Sequence, residues 1–581
     1  MTTPTDSDLP QFERQFFGAK TAVTRIGAGE LGGKAAGLEL IRERILADPD
    51  PSAFPDIGVG VPTMTVLTTE LFELFMARNH LYETALADEP DERIAAAFQD
   101  ADLPAEFVGD LRGLITNVHT PLAIRSSSLL EDALDHPFAG VYETKMIPNN
   151  QPDTDTRFRR LVEAIKFVYA SVFFRRAKSY IRSIGQDQRA EKMAVVIQEV
   201  VGRRYDERFY PFLSGVGRSY NYYPSGHGTP ADGVVNLALG LGKQIVDGGL
   251  SWTYCPAYPQ APAPFKGIGD LLKNTQTEFW AVNMGKPPAH DPIHETEYLV
   301  RSSLAEAELD GTLDHLVSVY DPRSDRFYPG LRPNGPRVLD FAPILTADAL
   351  PLNDLVRHLL ERSVRAVGAD VEIEFAVDFD RRGTPPARFG FLQVRPMKVS
   401  EAEIELVPEA LEGEAVLLAS DQVLGNGQRD DIRDVVFVKP AAFEPKFTPR
   451  IALELDTINR SFLDDGRPYL LIGFGRWGSS DPWLGIPVDW GQISGARVIV
   501  EATLPDMNPD LSQGSHFFHN LIGFQVLYLS VRHQGQYRID HGWLDRQETI
   551  AETEYVKHVR VAAPLQVLVD GRHGLGVIRH G

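Results

Sequence analysis

Ile124-Arg125-Ser126-Ser127-Ser128, then Glu131-Asp132, then Phe138-Ala139-Gly140-Val141-Tyr142-Glu143-Thr144: the reading of this 581-residue chain turns on this stretch. It sets one guanidinium beside three hydroxyls, with a glycine and a further hydroxyl downstream. Such a segment can offer charge-assisted donors, hydroxyls and bare backbone N–H groups to a polyphosphate. Strand-like Leu122–Arg125 follows Pro121, so the arginine is expected at the end of a strand.

Two other segments carry the same chemistry. Gly32-Gly33-Lys34-Ala35-Ala36-Gly37-Leu38 sits where a loop becomes a helix, with Leu38, Ile41 and Ile45 on one stripe. Glycines let the backbone approach a phosphate, and the helix N-terminus and Lys34 add positive charge. The string is not a Walker A motif, because Gly37 stands where Ser or Thr would follow. A plain glycine-rich turn with a solvated lysine explains it too. Val371–Phe379 and Phe389–Val394 flank Arg381-Arg-Gly-Thr-Pro-Pro and predict a hairpin. Glu372 and Glu374 are two apart on a strand and share a face, as do Gln393 and Arg395 on the return strand. Adjacent carboxylates call for a cation, which makes Glu372 and Glu374 candidate Mg²⁺ ligands; an exposed charged strand face is the other reading.

Composition bounds the class. The chain is 43% hydrophobic and 24% charged, with 80 acidic against 58 basic residues and a formal charge of −22. That is a globular composition of several packing units, without the basic face that nucleic acid or an anionic membrane requires. The single cysteine, Cys255, excludes an internal disulfide and a cysteine metal cluster and fits a reducing compartment. The polar N-terminus and the lack of a long apolar window point to neither a signal peptide nor a spanning helix, hence to a cytoplasmic protein.

Further elements are expected as follows: a strand at 60–67, several helices over 70–118, one long helical segment at 157–183, a buried strand at Met193–Val201, and loops over a sheet edge in 221–296. Arg175, Arg176 and Lys178 read as a solvated helix face with snorkelling stems. The expected division is a lead-in at 1–20, lobes at 21–190 and 191–400, and a strand-rich domain at 401–581.

Taken in order, Leu-Gly-Gly-Lys34-Ala-Ala-Gly-Leu, Ile-Arg125-Ser-Ser-Ser, Phe-Ala-Gly140-Val-Tyr-Glu-Thr144, Met193-Ala-Val-Val-Ile-Gln198 and Glu372-Ile-Glu374…Leu392-Gln393-Val-Arg395-Pro resemble the successive motifs of one family. It is the ATP-binding module of phosphoenolpyruvate synthase and pyruvate phosphate dikinase, shared with rifampin phosphotransferase and the glucan dikinases. The resemblance implies an α/β fold: a two-lobed ATP-grasp-type module followed by a β-rich α+β C-terminal domain. It implies ATP and Mg²⁺ as cofactors. Lys34 and Arg125 then contact phosphates, Gly140 and Thr144 belong to the phosphate-covering loop, and Gln198 lies at the adenine hinge. Glu374 with Glu372 holds magnesium, and Gln393 and Arg395 line the phosphate end. One departure stands out: the family's Gly-Leu-Gly-Glu string reads Gly240-Leu-Gly-Lys243 here.

After residue 400 the chain is too short for a barrel of the pyruvate-binding kind, and Cys255 lies within the ATP module, so the phosphoenolpyruvate/pyruvate half is expected to be absent. The carrier-histidine motif has one counterpart, Ser512-Gln-Gly-Ser515-His516-Phe-Phe-His519. His516 is a candidate phospho-acceptor, or a structural histidine at a helix entry. A metal shared by His516 and His519 lacks a third ligand. Gly473-Phe-Gly-Arg476-Trp-Gly-Ser479-Ser480-Asp481-Pro-Trp483 offers Arg476, Ser479 and Asp481 to an acceptor, or is a tight turn packed by Trp477 and Trp483. The expected function is an ATP- and Mg²⁺-dependent, dikinase-like phosphotransferase with a small-molecule or protein acceptor. The alternative is a nucleotide-binding regulatory or partner protein without turnover.

Overall fold

Leu122–Ser128 is a strand buried on both faces, with only Arg125 partly open. A computed structural model describes residues 9–14, 23–47, 54–131, 138, 140–224, 227–261, 267–331, 335–346, 349–380, 386–397, 399, 404–479, 481–505, 507 and 516–581, excepting the side chains of Asp270, Lys273, His516 and His519. The strand is fourth in a five-stranded sheet ordered Val23–Ile26, Met64–Leu67, Met193–Glu199, Leu122–Ser128, Thr144–Ile147. The first two strands are parallel and the others antiparallel. Helices Thr69–Arg78, Asp91–Asp100, Ala105–Asn117 and Thr154–Ser171 contribute apolar faces to the core beside this sheet, where Phe72, Phe75, Phe98 and Phe173 close ranks around Tyr169.

A second, six-stranded sheet runs Trp252–Tyr254, Val234–Ala238, Leu213–Arg218, Val371–Phe379, Ala387–Pro396, Ile57–Gly60. The expected hairpin is its centre: Val371–Phe379 pairs antiparallel with Ala387–Pro396, with a bulge after Glu374; the turn at 381–385 lies outside the described residues. Helix Leu352–Val367 covers this sheet with Leu355, Val356 and Leu359. Smaller sheets of four and three strands extend this part of the chain.

Several expected elements divide. Residues 60–67 form the ends of two strands in different sheets, because Pro62 interrupts the ladder between Gly60 and Met64. The segment 157–183 is two helices, Thr154–Ser171 and Arg175–Ser183. Residues 221–296 hold strands of two sheets as well as loops. The boundary expected at 400–401 falls outside the described residues.

The C-terminal part is more regular than its many glycines suggested. Its main sheet runs Val416–Ser420, Leu575–Arg579, Val556–Asp570, Gly427–Val438, Tyr469–Phe474, Ala496–Ala502, Leu527–Val531, Val423–Leu424. The first and last strands are consecutive in the chain, separated by Asp421 and Gln422, so the sheet closes into a barrel. The seam is held by Ser530 N–H donating to the Gln422 carbonyl at 2.9 Å and the Ser420 hydroxyl donating to the Ser530 carbonyl at 2.5 Å. Leu417, Ile432, Val435, Leu470, Val498, Leu529, Val567 and Ile578 belong to one cluster that forms the barrel core. Residues on the barrel's other face join a single apolar cluster with the helices of the first sheet. At that junction Gly491 meets Ser179 so closely that an added Cβ would lie 2.5 Å from the Ser179 Cβ.

Glu501, on a barrel strand and 1% exposed, accepts a hydrogen bond from the Tyr528 hydroxyl. Burial pushes its carboxyl up to about 7. A carboxyl whose folded pKa is raised stabilises the fold below its unfolded pKa and loses that contribution as pH rises through about 7. Glu501→Gln is therefore expected to shrink the loss of stability between pH 5 and pH 8 by roughly 1–3 kcal/mol, read from denaturant unfolding at each pH.

Candidate functional site

The two large sheets meet across a cavity of about 210 Å³. Lys34, Arg125, Gly140, Thr144, Gln198, Glu374, Gln393 and Arg395 all line it. These eight residues come from positions spread between 34 and 395, and the fold brings them to one space. Met146, Leu241 and Leu299, which pack in one small apolar cluster, line part of it, and charged side chains line another part.

Arg125 crosses from one sheet to the other. One Nη1 donates to Gln198 Oε1 at 3.2 Å and to the Leu392 carbonyl at 3.0 Å; Nη2 donates to Gln393 Oε1 at 2.9 Å and lies 3.7 Å from Glu374 Oε2. Gln198, expected at the adenine hinge, lines the cavity and holds Arg125 through its Oε1.

The serines behave differently from the cradle suggested by their spacing. Ser126, Ser127 and Ser128 are fully buried and point away from the cavity's lining. Ser127 Oγ accepts from Ala35 N–H at 3.0 Å and donates to the Leu31 carbonyl, fixing the start of helix Gly32–Leu40. Ser126 Oγ donates to Glu131 Oε1, and Ser128 Oγ accepts from the N–H of Leu130 and Glu131. Glu131 in turn pairs with Lys34 Nζ at 3.2 Å. Ser126 and Ser128 thus hold Glu131 against Lys34, Ser126 also accepts from Lys34 Nζ at 3.4 Å, and Ser127 sets the helix that carries the lysine. Gly32 and Gly33 are required by the same contact: an added Cβ would lie 1.8 Å from the carbonyl oxygen of Ser127 or of Glu131.

Glu372 and Glu374 do share a face, and a cation does sit between them, but it is Arg395. Its Nε lies 3.4 Å from Glu372 Oε1, and its Nη2 pairs with Glu374. Arg218 Nε binds Glu372 Oε2 at 2.8 Å beneath them. Charges alternate along Arg218, Glu372, Arg395, Glu374 and Arg125. Glu372, expected as a metal ligand, is 2% exposed, does not line the cavity, and pairs with Arg218 and Arg395. Among the described residues no group of three or more His, Cys, Asp or Glu side chains is arranged to hold a metal by itself.

Three residues were missed as members of the site. Lys243 pairs with Asp247 at 2.7 Å and with Glu295; burial opposes its charge, yet these two carboxylates raise its pKa. Arg176, on the exposed helix face, also reaches the cavity rim: it donates to the Gly140 carbonyl at 3.0 Å and binds Asp489 at 2.9 Å. Glu143, 3.6 Å from Arg176, is pushed up to about 7 by enclosure among protein atoms. The motif Phe-Ala-Gly-Val-Tyr-Glu-Thr contained Glu143, but nothing in sequence spacing brings Arg176 or Asp489 to it.

The C-terminal candidates separate. Arg476, expected as an acceptor-binding residue, is 5% exposed, donates to the Gly248 carbonyl at 2.8 Å and ties the barrel to the second sheet's loops. Ser479 and Asp481 close a tight turn, with Asp481 N–H donating to Ser479 Oγ at 3.2 Å. Trp477 is packed inside and Trp483 is 71% exposed. His516 opens helix His516–Gly523, with its side chain outside the described residues.

Residues 28–414, about two thirds of the chain, match the family model described as pyruvate phosphate dikinase, AMP/ATP-binding domain. The chain belongs to this family. It is 26% identical over 419 residues to a phosphoenolpyruvate synthase of Aeropyrum pernix, covering 65% of this chain and 43% of that protein. It is 28% identical over 207 residues to a rifampicin phosphotransferase of Streptomyces sviceus, covering 33% and 22%. An uncharacterized phosphotransferase of Bacillus subtilis is 28% identical over 194 residues, covering 33% and 21%. The chain thus spans less than half the length of these curated relatives. The dikinase-domain match ends before the barrel, and no described helix is long and apolar enough to cross a membrane.

Removing one member of a buried charge chain strands its partners. Arg395→Met is expected to destabilise the protein by about 3 kcal/mol, read by chemical denaturation without nucleotide. Arg78→Met, which breaks an exposed, solvent-screened pair with Glu106, is expected to leave the unfolding midpoint almost unchanged in the same measurement.

Proposed function

We propose that this chain is an ATP- and Mg²⁺-dependent phosphotransferase of the dikinase type, with an ATP-grasp-like arrangement in which nucleotide lies between the two sheets. The observation that carries this reading is the convergence of the eight expected residues on one cavity. The apolar end accepts the base, and Lys34, Arg125 and Arg395 neutralise the polyphosphate at the other. Gly140, in the left-handed region at φ 65°, and Thr144 form the cover over the phosphates.

Mg²⁺ typically takes one or two protein oxygens and completes its shell with phosphates and water. Glu374 and Gln393, both on the cavity wall and paired in register across the hairpin, fit that donor set and would hold it. When bound, the ion neutralises phosphate charge. The protein's own contribution is positioning and preorganised positive charge. The arginine fork is already held by Gln198 and Gln393, so meeting an anion needs an exchange of those partners and little further side-chain ordering.

The acceptor is a small molecule or protein group meeting the nucleotide near the 476–481 turn, or His516. The second reading, a nucleotide-binding regulatory or partner protein, is favoured by Lys243, whose charge is consumed by Asp247 and Glu295 where family members carry an acid.

Incubation with ATP and Mg²⁺, followed by nucleotide analysis and mass spectrometry of the protein, separates the two. ADP or AMP formation supports transfer, and phosphate on His516 identifies a carrier; binding with no product supports the regulatory reading. Arg125→Ala is expected to weaken ATP affinity at least tenfold by calorimetry, and unchanged affinity and rate would remove the site assignment.

A further inference from the structure

On the wall of the cavity between the two sheets, Gln198 is engaged at one end only. Its Oε1 accepts from Arg125 Nη1 at 3.2 Å, and an arginine has nothing but donors to give, so this contact fixes which way round the amide lies. The other end, Nε2, is buried and has no acceptor among the described residues. Gln198 is 2% exposed and yet lines the cavity. Leaving a buried donor unpaired is more unfavourable than an ordinary hydrogen bond is favourable, so a group of this kind calls for an explanation.

The strand register shows what stands beside that amide. Ala123 pairs with Met146 on one side and with Gln198 on the other, so the three form one row on one face of the first sheet. All three line the cavity. Met146 and Gln198 are two strand spacings apart, roughly 10 Å, with only a methyl group between them. A flat ring fits over Ala123, with an adaptable thioether at one edge and an amide at the other. The next row toward the charged wall pairs Arg125 with Thr144. Arg125 reaches back from that row and occupies the one acceptor that Gln198 has.

We propose that Gln198 reads the base through both ends of its amide, and that it does so only after a polyphosphate has drawn Arg125 away, so that the choice of base is conditional on the phosphates. The inference rests on the nucleotide reading above and concerns the regulation of that same site. Adenine sets an amino N–H donor beside the N7 acceptor, which together match Oε1 and Nε2 in two hydrogen bonds. Hypoxanthine has a carbonyl in place of the amino group and sets an acceptor against Oε1. With Arg125 on Oε1 only Nε2 is left to the ligand, and N7, common to both bases, satisfies it equally. A polyphosphate is a stronger partner for a guanidinium than a neutral amide is. As Arg125 turns to it, Oε1 is released to the amino group. Base and phosphates then favour each other's binding through one side chain, and the coupling runs in both directions.

The test uses the full chain with Mg²⁺, with binding followed by calorimetry and, for the nucleosides, by ligand-observed NMR. ATP is expected to bind about tenfold tighter than ITP. Adenosine and inosine alone are expected to bind within about twofold of each other, and saturating inorganic tripolyphosphate to tighten adenosine about fivefold while leaving inosine unchanged. Arg125→Ala is expected to prefer adenosine to inosine about fivefold with no tripolyphosphate present, although its affinity for ATP falls. Gln198→Leu is expected to bring ATP and ITP within about twofold of each other. Thermal melting reports whether the variants fold, and Gln198→Leu decides alone should the arginine variant unfold. Equal binding of ATP and ITP overturns the inference, as does an adenosine preference of the same size with and without tripolyphosphate. Nucleosides that stay unbound even with tripolyphosphate, or a Gln198→Leu variant that keeps the original ratio of ATP to ITP affinity, overturn it too. In each of these cases ATP still binds and the nucleotide site stands. Failure to bind both ATP and tripolyphosphate overturns the nucleotide reading and this inference together.

Discussion

The guanidinium of Arg125 is the contact on which the site depends. It leaves the first sheet, reaches the second, and spends its donors on Gln198, the Leu392 carbonyl and Gln393. A planar fork satisfied on both sides is a directional link between two sheets that otherwise meet across open space. From Arg125 the alternation of charge passes inward through Glu374, Arg395 and Glu372 to Arg218, whose guanidinium lies 5.2 Å from the centre of the Phe518 ring. Each member is costly to bury alone and tolerable only in the company of the next. The charged wall of the cavity is therefore one electrostatic unit.

Much of this was legible in the sequence, for a physical reason. A period of two places Glu372 beside Glu374 and Gln393 beside Arg395 wherever the hairpin falls, and the structure keeps those faces. What spacing does not report is depth. Glu372 and the three serines lie behind the surface they were expected to form, because the burial of a side chain is decided by packing partners distant in sequence. The glycines at 32 and 33 were read as room for a phosphate, and they are room for the serine strand. Arg176 looked like a solvated residue on a helix, since its partners Gly140 and Asp489 lie 36 and 313 positions away. The barrel was visible as strands but not as a closed sheet, because closure is a property of register between its ends.

The C-terminal part is more than an appended unit. It reaches the surroundings of the cavity between the two sheets at three separate points: Asp489 on Arg176, Arg476 on the Gly248 carbonyl, and Phe518 over Arg218. The first of these is two bonds removed from the backbone of Gly140, so the geometry of the covering loop and the placement of the barrel are set together. Lys243, the departure from the family's string, belongs to the same region. In place of an acid it brings a cation that quenches two neighbouring acids, Asp247 and Glu295.

The seam of the barrel has a consequence for how that region comes apart. Residues 416–424 pair with Leu575–Arg579 on one side and with Leu527–Val531 on the other. An open sheet can be peeled from an exposed edge, one ladder at a time; here the peeling front would have to begin on the strand that both borders share. Releasing it cuts two ladders at once and opens the apolar interior to water. The barrel should accordingly yield as a whole, and the loops it anchors around the cavity between the two sheets inherit that all-or-none resistance without possessing it themselves.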